Sequence, residues 1–291
     1  MSFANPHYLV KTDWLEEHLN DGNLRILDCN VLLVPENCGG FRMESGRPAW
    51  GEGHIGESDF ADFTTDLSDQ NNTLPLMMPP VDQFADAMSR YGVSTQTRVI
   101  LYDNLYNIWA ARTWWMLRAV GFDNAAVLNG GWQKWTQEGR AVTTDLPTHM
   151  RGQFAATPRP GVTANKLDVL SAIDTQSSCI LNALTAEDHA GVGGLIQYPR
   201  PGRIASSVNV SFYDLVDQDI HAYLPAAQLR RQFEAVGATS GKPVITYCGA
   251  GIAASSDAFV LALLGMDDVA VYDGSLMEWA ADARLPMETG A

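Results

Sequence analysis

Cysteine is scarce in this sequence. The four present, Cys29, Cys38, Cys179 and Cys248, form no CxxC pair and no zinc-ligand spacing. That argues against a structural zinc site or a disulfide framework, and it fits a reducing compartment where a free thiol persists. Positive charge is also thin: 19 Lys and Arg against 34 Asp and Glu give a formal net charge of −15. Such a chain is a poor match to nucleic acid or to an anionic membrane surface, so neither is expected as a partner. No apolar run approaches the ~18 residues of a membrane span. The opening MSFANPHYLVKTDWLEEHL has no basic stretch followed by an apolar core, so no secretory signal is visible and a cytoplasmic location is expected. The six histidines show no metal spacing, and each reads as structural.

What is present is a long-period repeat. Gly121-Phe-Asp-Asn-Ala-Ala-Val-Leu-Asn-Gly-Gly-Trp-Gln-Lys-Trp135 is echoed by Gly265-Met-Asp-Asp-Val-Ala-Val-Tyr-Asp-Gly-Ser-Leu-Met-Glu-Trp279. Upstream, Val99-Ile-Leu-Tyr-Asp103 matches Val244-Ile-Thr-Tyr-Cys248, and Gly53-His54-Ile55 matches Gly202-Arg203-Ile204. A period this long means two whole domains rather than a solenoid, and 291 residues give each a core of ordinary size. The breaker-rich stretch through Thr157-Pro-Arg-Pro-Gly161 reads as the connection. The expected boundaries are 1–142, a linker over 143–164, and 165–291.

Within each half, short apolar runs alternate with helical periodicity, the pattern of an α/β domain with a parallel sheet. Helices are expected over 8–20, from Val81, over 109–119 and near 165–175. Strands are expected at 24–28, 99–102 and 125–128. Residues 35–53, rich in Gly, Pro, Glu and Asn, read as a long loop. Trp114, Trp115, Trp132 and Trp135 read as packing residues. Arg112 is expected to pair with an acidic residue across the domain interface, and Arg203 to lie near the active cleft.

The stretch that carries chemistry is 243–265. Val244-Ile245-Thr246-Tyr247 reads as a buried strand, with Cys248 at its end. Gly249-Ala250-Gly251 turns, and Ile252, Ser255, Ser256, Phe259, Val260, Leu263 and Leu264 then recur at helical spacing until Gly265. A cysteine between a strand and a helix N-terminus faces unpaired backbone N–H groups and the positive end of the helix dipole. Those features favour a thiolate, and a lowered thiol pKa is expected. The cradle is expected from the N–H groups of Gly249, Ala250, Gly251, Ile252, Ala253 and Ala254. The loop lacks the spacing and Lys of a P-loop.

These pieces together resemble the two-domain rhodanese-like sulfurtransferases. The resemblance is carried by Tyr247-Cys248-Gly249-Ala250-Gly251-Ile252-Ala253-Ala254, Val271-Tyr-Asp-Gly-Ser-Leu-Met-Glu-Trp279, Val127-Leu-Asn-Gly-Gly-Trp132, Arg112-Thr-Trp-Trp-Met116 and Gly53-His54-Ile55, and it covers nearly the whole chain. It implies two tandem α/β domains, each with a mostly parallel five-stranded sheet flanked by helices. The N-terminal domain is implied to be silent, because Asp103 stands where Cys248 stands and a carboxylate cannot accept sulfane sulfur.

The implied activity is transfer of sulfane sulfur from a small anionic donor, 3-mercaptopyruvate or thiosulfate, to a thiol or cyanide through a persulfide on Cys248, without metal or organic cofactor. The loop resembles the mercaptopyruvate type, with Ala250 for its Ser and Ala253 for its Thr. The Ser–His–Asp relay proposed for that branch maps onto Ala250, Asn72 and Asp62. Of the two substrate-carboxylate arginines, one matches Arg200 and the other is replaced by Asp188. Asp62 and Arg200 are therefore the substrate-binding candidates. The losses support an alternative, a non-catalytic binding or sensing protein on the same scaffold. A related cysteine phosphatase is disfavoured, since Ala254 or Ser255 stands where its phosphate-clamping arginine would be. Cys29, Cys38 and Cys179 read as inert, and Ser255 and Ser256 as helix-lining residues.

Overall fold

The computed structural model describes residues 2–35, 40–193 and 198–290. Cys38 lies outside them. The first half runs β1 (Leu9–Val10), α1 (Thr12–His18), β2 (Leu24–Asp28), β3 (Val31–Pro35), β4 (Phe41–Ser45), α2 (Arg47–Glu52), β5 (Ser58–Phe60), α3 (Val81–Arg90), β6 (Arg98–Tyr102), α4 (Ile108–Ala119), β7 (Ala125–Leu128) and α5 (Gly131–Gln137). The second runs β8 (Thr163–Ala164), α6 (Lys166–Thr175), β9 (Cys179–Asn182), α7 (Ala186–Ala190), β10 (Arg203–Ile204), β11 (Val208–Asn209), α8 (Ala226–Ala235), β12 (Val244–Tyr247), α9 (Ile252–Leu263), β13 (Val269–Tyr272), α10 (Ser275–Trp279) and β14 (Met287–Glu288).

Two five-stranded sheets result, ordered β1-β7-β6-β2-β5 and β8-β13-β12-β9-β11. Every pairing within them is parallel. The two orders superimpose element for element, as the repeat requires. Strands β6 and β12 are central, which is why their apolar runs carry no polar alternation. The sheet of the second half begins at Thr163, inside the stretch expected to be linker.

The stretch 35–53, expected to be a loop, contains regular elements. Phe41–Ser45 pairs antiparallel with Val31–Pro35, and Pro48 in the first turn starts α2, which Gly53 ends. Neither element is long enough to leave a periodic signal, and the hairpin pairs only with itself. His54 is held by the Trp50 carbonyl at 2.8 Å and the Asp145 carbonyl at 3.0 Å and stacks on the Trp50 ring, so it is structural.

Helices α4 and α9 pack against each other across the halves. All twelve residues of α9 are buried, and α4 leaves only Arg118 partly out. A helix that is apolar all round must be covered all round. Trp114 of α4 meets Phe259 of α9 edge-on, ring centroids 4.9 Å apart. Into this dry seam α4 places Arg112, 0% exposed. Its Nη1 lies 2.6 Å from Asp273 Oδ1, an ionic contact without hydrogen-bond alignment. Its Nη2 donates to the Leu76 carbonyl at 3.0 Å, and the guanidinium lies over the Trp115 ring. Asp273 Oδ2 accepts the Met78 N–H at 2.9 Å.

Removing one member of a buried pair strands the other charge, which costs about 3–5 kcal/mol. Arg112→Met is expected to destabilise the protein by that amount in urea unfolding. A loss below 1 kcal/mol would show that the pair does not hold the seam.

Candidate active site

Cys248 leaves the end of β12 and is 2% exposed. Gly251 caps α9 in the left-handed region, φ +77. A Cβ there would lie 2.6 Å from Asp273 Oδ1 and 3.0 Å from Arg112 Nη1. The position therefore needs glycine twice, for its dihedral and for the ion pair pressed against it.

The loop is pinned from α10. Ser275 Oγ accepts the N–H of Cys248 at 3.1 Å and of Gly251 at 3.2 Å, and donates to the Tyr272 carbonyl at 2.7 Å. Ser275 takes φ +48, rare for a residue with a side chain. The matching position of the first half is Gly131, which also has positive φ. Strain accepted for a hydroxyl that fixes both ends of the loop marks Ser275 as part of the site. The carbonyls of Cys248 and Gly249 accept the N–H groups of Leu276 and Met277, each at 3.0 Å.

The N–H groups of Ala254, Ala250, Ala253 and Gly251 act on the Cys248 sulfur and lower its pKa. Burial acts the other way and outweighs them, so the thiol is pushed above its ordinary 9.0. The sequence expectation of a lowered value is thus corrected. Periodicity shows a helix N-terminus but not that the sulfur is fully enclosed, and desolvation of the thiolate dominates here. Gly249 lies beneath the Tyr198 hydroxyl, since a Cβ there would be 2.3 Å from that oxygen. Ile252 opens α9 and is buried. Ser255 Oγ donates to the Gly251 carbonyl at 2.7 Å, a helix-lining bond rather than a nucleophile's.

The first half shows the same loop with its occupant built in. Asp103 accepts the N–H groups of Leu105 (2.7 Å), Asn107 (3.1 Å), Trp109 (2.9 Å) and Ala110 (2.8 Å). Burial raises its pKa to about 7 against those donors. Neighbouring Asp28 is likewise raised to about 7 by burial, and burial pushes Cys29 well above the usual thiol range. Cys29 accepts from Thr113 Oγ1 at 3.3 Å, and Cys179 is buried in β9. Neither meets the Cys248 loop in a hydrogen bond.

The two carried-over substrate residues are engaged elsewhere. Arg200 donates to the carbonyls of Ala280 (3.1 Å), Leu285 (2.9 Å), Trp279 (2.9 Å) and Asp282 (2.6 Å), tying down the chain after α10. A guanidinium with four carbonyl partners is a structural clamp, and these bonds lend no support to the expected contact with a substrate carboxylate. Asp62 accepts Ser45 Oγ at 2.6 Å and both the N–H and Oγ1 of Thr64, with Arg47 at 3.9 Å. No hydrogen bond joins it to the Cys248 loop among the described residues. Asn72, at the relay's His position, is an exposed turn residue whose Oδ1 accepts the Leu74 N–H. Arg203 pairs with Glu288 at the β10–β14 edge rather than lining a cleft. Asp188 caps α7 with Thr185, whose Oγ1 donates to it at 2.8 Å. Because β9 runs beside β12, this carboxylate sits at the same sheet edge as Cys248.

Sequence reasoning missed Ser275, Asp273 and Tyr198. The repeat carried a signal for the first: Ser275 stands where the first half has a second glycine. Tyr198 lies outside every helix and strand and has no periodicity to reveal where it points.

The chain matches the Rhodanese-like domain over residues 11–138 and 171–282. It belongs to the rhodanese-like family. It is 30% identical to the sulfur carrier protein TtuD of Thermus thermophilus, covering 100% of this chain and 99% of the relative. It is 31% identical to the thiosulfate sulfurtransferase of Bos taurus, covering 97% and 94%. The crystal structure of SseA from Escherichia coli, described among the 3-mercaptopyruvate sulfotransferases, aligns with TM-score 0.80 at 30% identity, over 92% of this chain and 98% of that one.

A thiol held above its ordinary pKa reacts through a small thiolate fraction. Alkylation of Cys248 by iodoacetamide, followed by peptide mass, is expected to quicken roughly tenfold per pH unit from pH 6 to 9. A plateau reached below pH 7 would contradict the burial argument. Ser275→Ala is expected to cost about 1–2 kcal/mol in urea unfolding, because it leaves two buried N–H groups without an acceptor.

Proposed function

We propose that this protein moves sulfane sulfur from a small anionic donor to a thiophilic acceptor through a persulfide on Cys248. The observation that carries the reading is a lone sulfur at the end of a central strand, ringed by loop N–H groups, in a fold whose other loop holds a carboxylate in the same place. In the first step the Cys248 thiolate attacks the outer sulfur of thiosulfate; the S–S bond of the donor breaks, and sulfite leaves with the electron pair. In the second step a thiolate or cyanide takes the outer sulfur, and Cys248 leaves as thiolate. This is two-step covalent catalysis. The N–H groups stabilise anionic sulfur in both steps.

A purely binding role on this scaffold is not favoured. The relatives reported above span nearly the whole chain and are named as a sulfur carrier and as sulfurtransferases. No helix among the described residues is long and apolar enough to cross a membrane.

The test is intact-protein mass after brief exposure to thiosulfate or 3-mercaptopyruvate. A gain of one sulfur, removed by cyanide and absent in Cys248→Ser, is the expected result. An unchanged mass with both donors would remove the proposal. The acidic Asp188 at the sheet edge opposes a donor carboxylate. Asp188→Arg is expected to improve kcat/KM for 3-mercaptopyruvate about tenfold, the worth of one charge-assisted contact, with Asp188→Asn intermediate. Equal values for all three proteins would place Asp188 outside the donor's path.

A further inference from the structure

The Tyr198 hydroxyl is the one group at the Cys248 loop that none of the chemistry above uses. Its oxygen is enclosed and has no hydrogen-bond partner among the described residues. It presses on the backbone just after Cys248: a Cβ at Gly249 would lie 2.3 Å from Tyr198 Oη and 3.4 Å from Cζ. Gly249 has no positive φ, so the position needs glycine for space alone, and the space is taken by this hydroxyl. A buried hydroxyl without a partner costs about 1–3 kcal/mol, so a tyrosine here is stabilised only if something arrives to accept its hydrogen bond.

The resting sulfur is not that acceptor, since no hydrogen bond joins Tyr198 to Cys248. Yet the two are close enough that a negative charge on Cys248, once formed, helps hold the tyrosine in its protonated form, second to burial and ahead of Asp188. The hydroxyl is thus a donor, not a base. It lies against Gly249, the residue that follows Cys248, and a persulfide extends Cys248 by one S–S bond, about 2.05 Å.

We propose that Tyr198 is the hydrogen-bond donor to the outer sulfur of the Cys248 persulfide, engaged only when the enzyme is loaded. The inference rests on the sulfur-transfer reading and adds a residue to it. No proton leaves the tyrosine in this role. The hydroxyl stabilises the anionic outer sulfur as it forms and holds it in place for the acceptor.

The experiment compares wild type with Tyr198→Phe in single-turnover loading by thiosulfate, followed by mass, across pH 6 to 10. A hydrogen bond to an anion corresponds to roughly a 10- to 100-fold effect. Loading by Tyr198→Phe is expected to be slower by that factor at every pH, with the shape of its pH profile unchanged, because the resting thiol titrates as in the wild type. Alkylation of unloaded Cys248 is expected to proceed at the wild-type rate, because the hydroxyl does not reach the resting sulfur. Gly249→Ala, which pushes the hydroxyl away without removing it, is expected to show the same loading defect. Wild-type loading kinetics in Tyr198→Phe would overturn the proposal and leave the sulfur-transfer reading standing. So would an equal slowing of resting-state alkylation, the mark of a merely structural residue. Failure of the wild type to load from thiosulfate or 3-mercaptopyruvate would overturn both.

Discussion

The contact between Arg112 and Asp273 does two jobs with one pair of charges. It ties α4 of the first half to the strand end of the second, and it forms the wall against which Gly251 turns. The shape of the cysteine loop therefore depends on the seam between the halves. Met78 and Leu76 complete the arrangement by offering a backbone N–H and a carbonyl to the same pair. The silent loop is met in a comparable way from the other side. Asn107 donates to the His221 carbonyl, and Asn129 accepts the Tyr223 N–H. Leu76 and His221, at matching places in the repeat, both take positive φ to make these reaches. A duplicated domain has built a pseudo-symmetric joint in which each half braces the other's loop.

Around the sulfur, burial and hydrogen bonding pull in opposite directions. The loop N–H groups are suited to an anion, while enclosure in the protein disfavours one. The result is a thiol that stays protonated at rest yet sits in a cradle fitted to the charged species formed during turnover. Such a balance limits stray reaction of the free thiol while still rewarding anionic sulfur in the loaded state.

Much of this was legible in the chain. The strand–loop–helix around Cys248, its aspartate counterpart and the parallel α/β class followed from apolar runs, glycine placement and the repeat, because local chemistry decides them. Arg112 as an interface cation followed from a charge set in an otherwise apolar helix. What was not legible depends on partners brought from afar. Arg200 looks like an anion binder as a residue type, and only the four carbonyls at and beyond the end of α10 make it a clamp. The direction of the Cys248 shift depends on enclosure, a property of the whole fold. The Val31–Ser45 hairpin was hidden because two short strands that pair only with each other leave no periodic trace. Ser275 and Tyr198 act through positions that loop geometry alone creates.

The four N–H bonds to Asp103 bear on stoichiometry. Duplication gave the chain two cradles of nearly the same design, but one is filled by a side chain that cannot be exchanged. Under the proposed function, the two loops together offer one thiol per chain for transferable sulfur, with no second thiol in the matching cradle to share it or to close an internal disulfide.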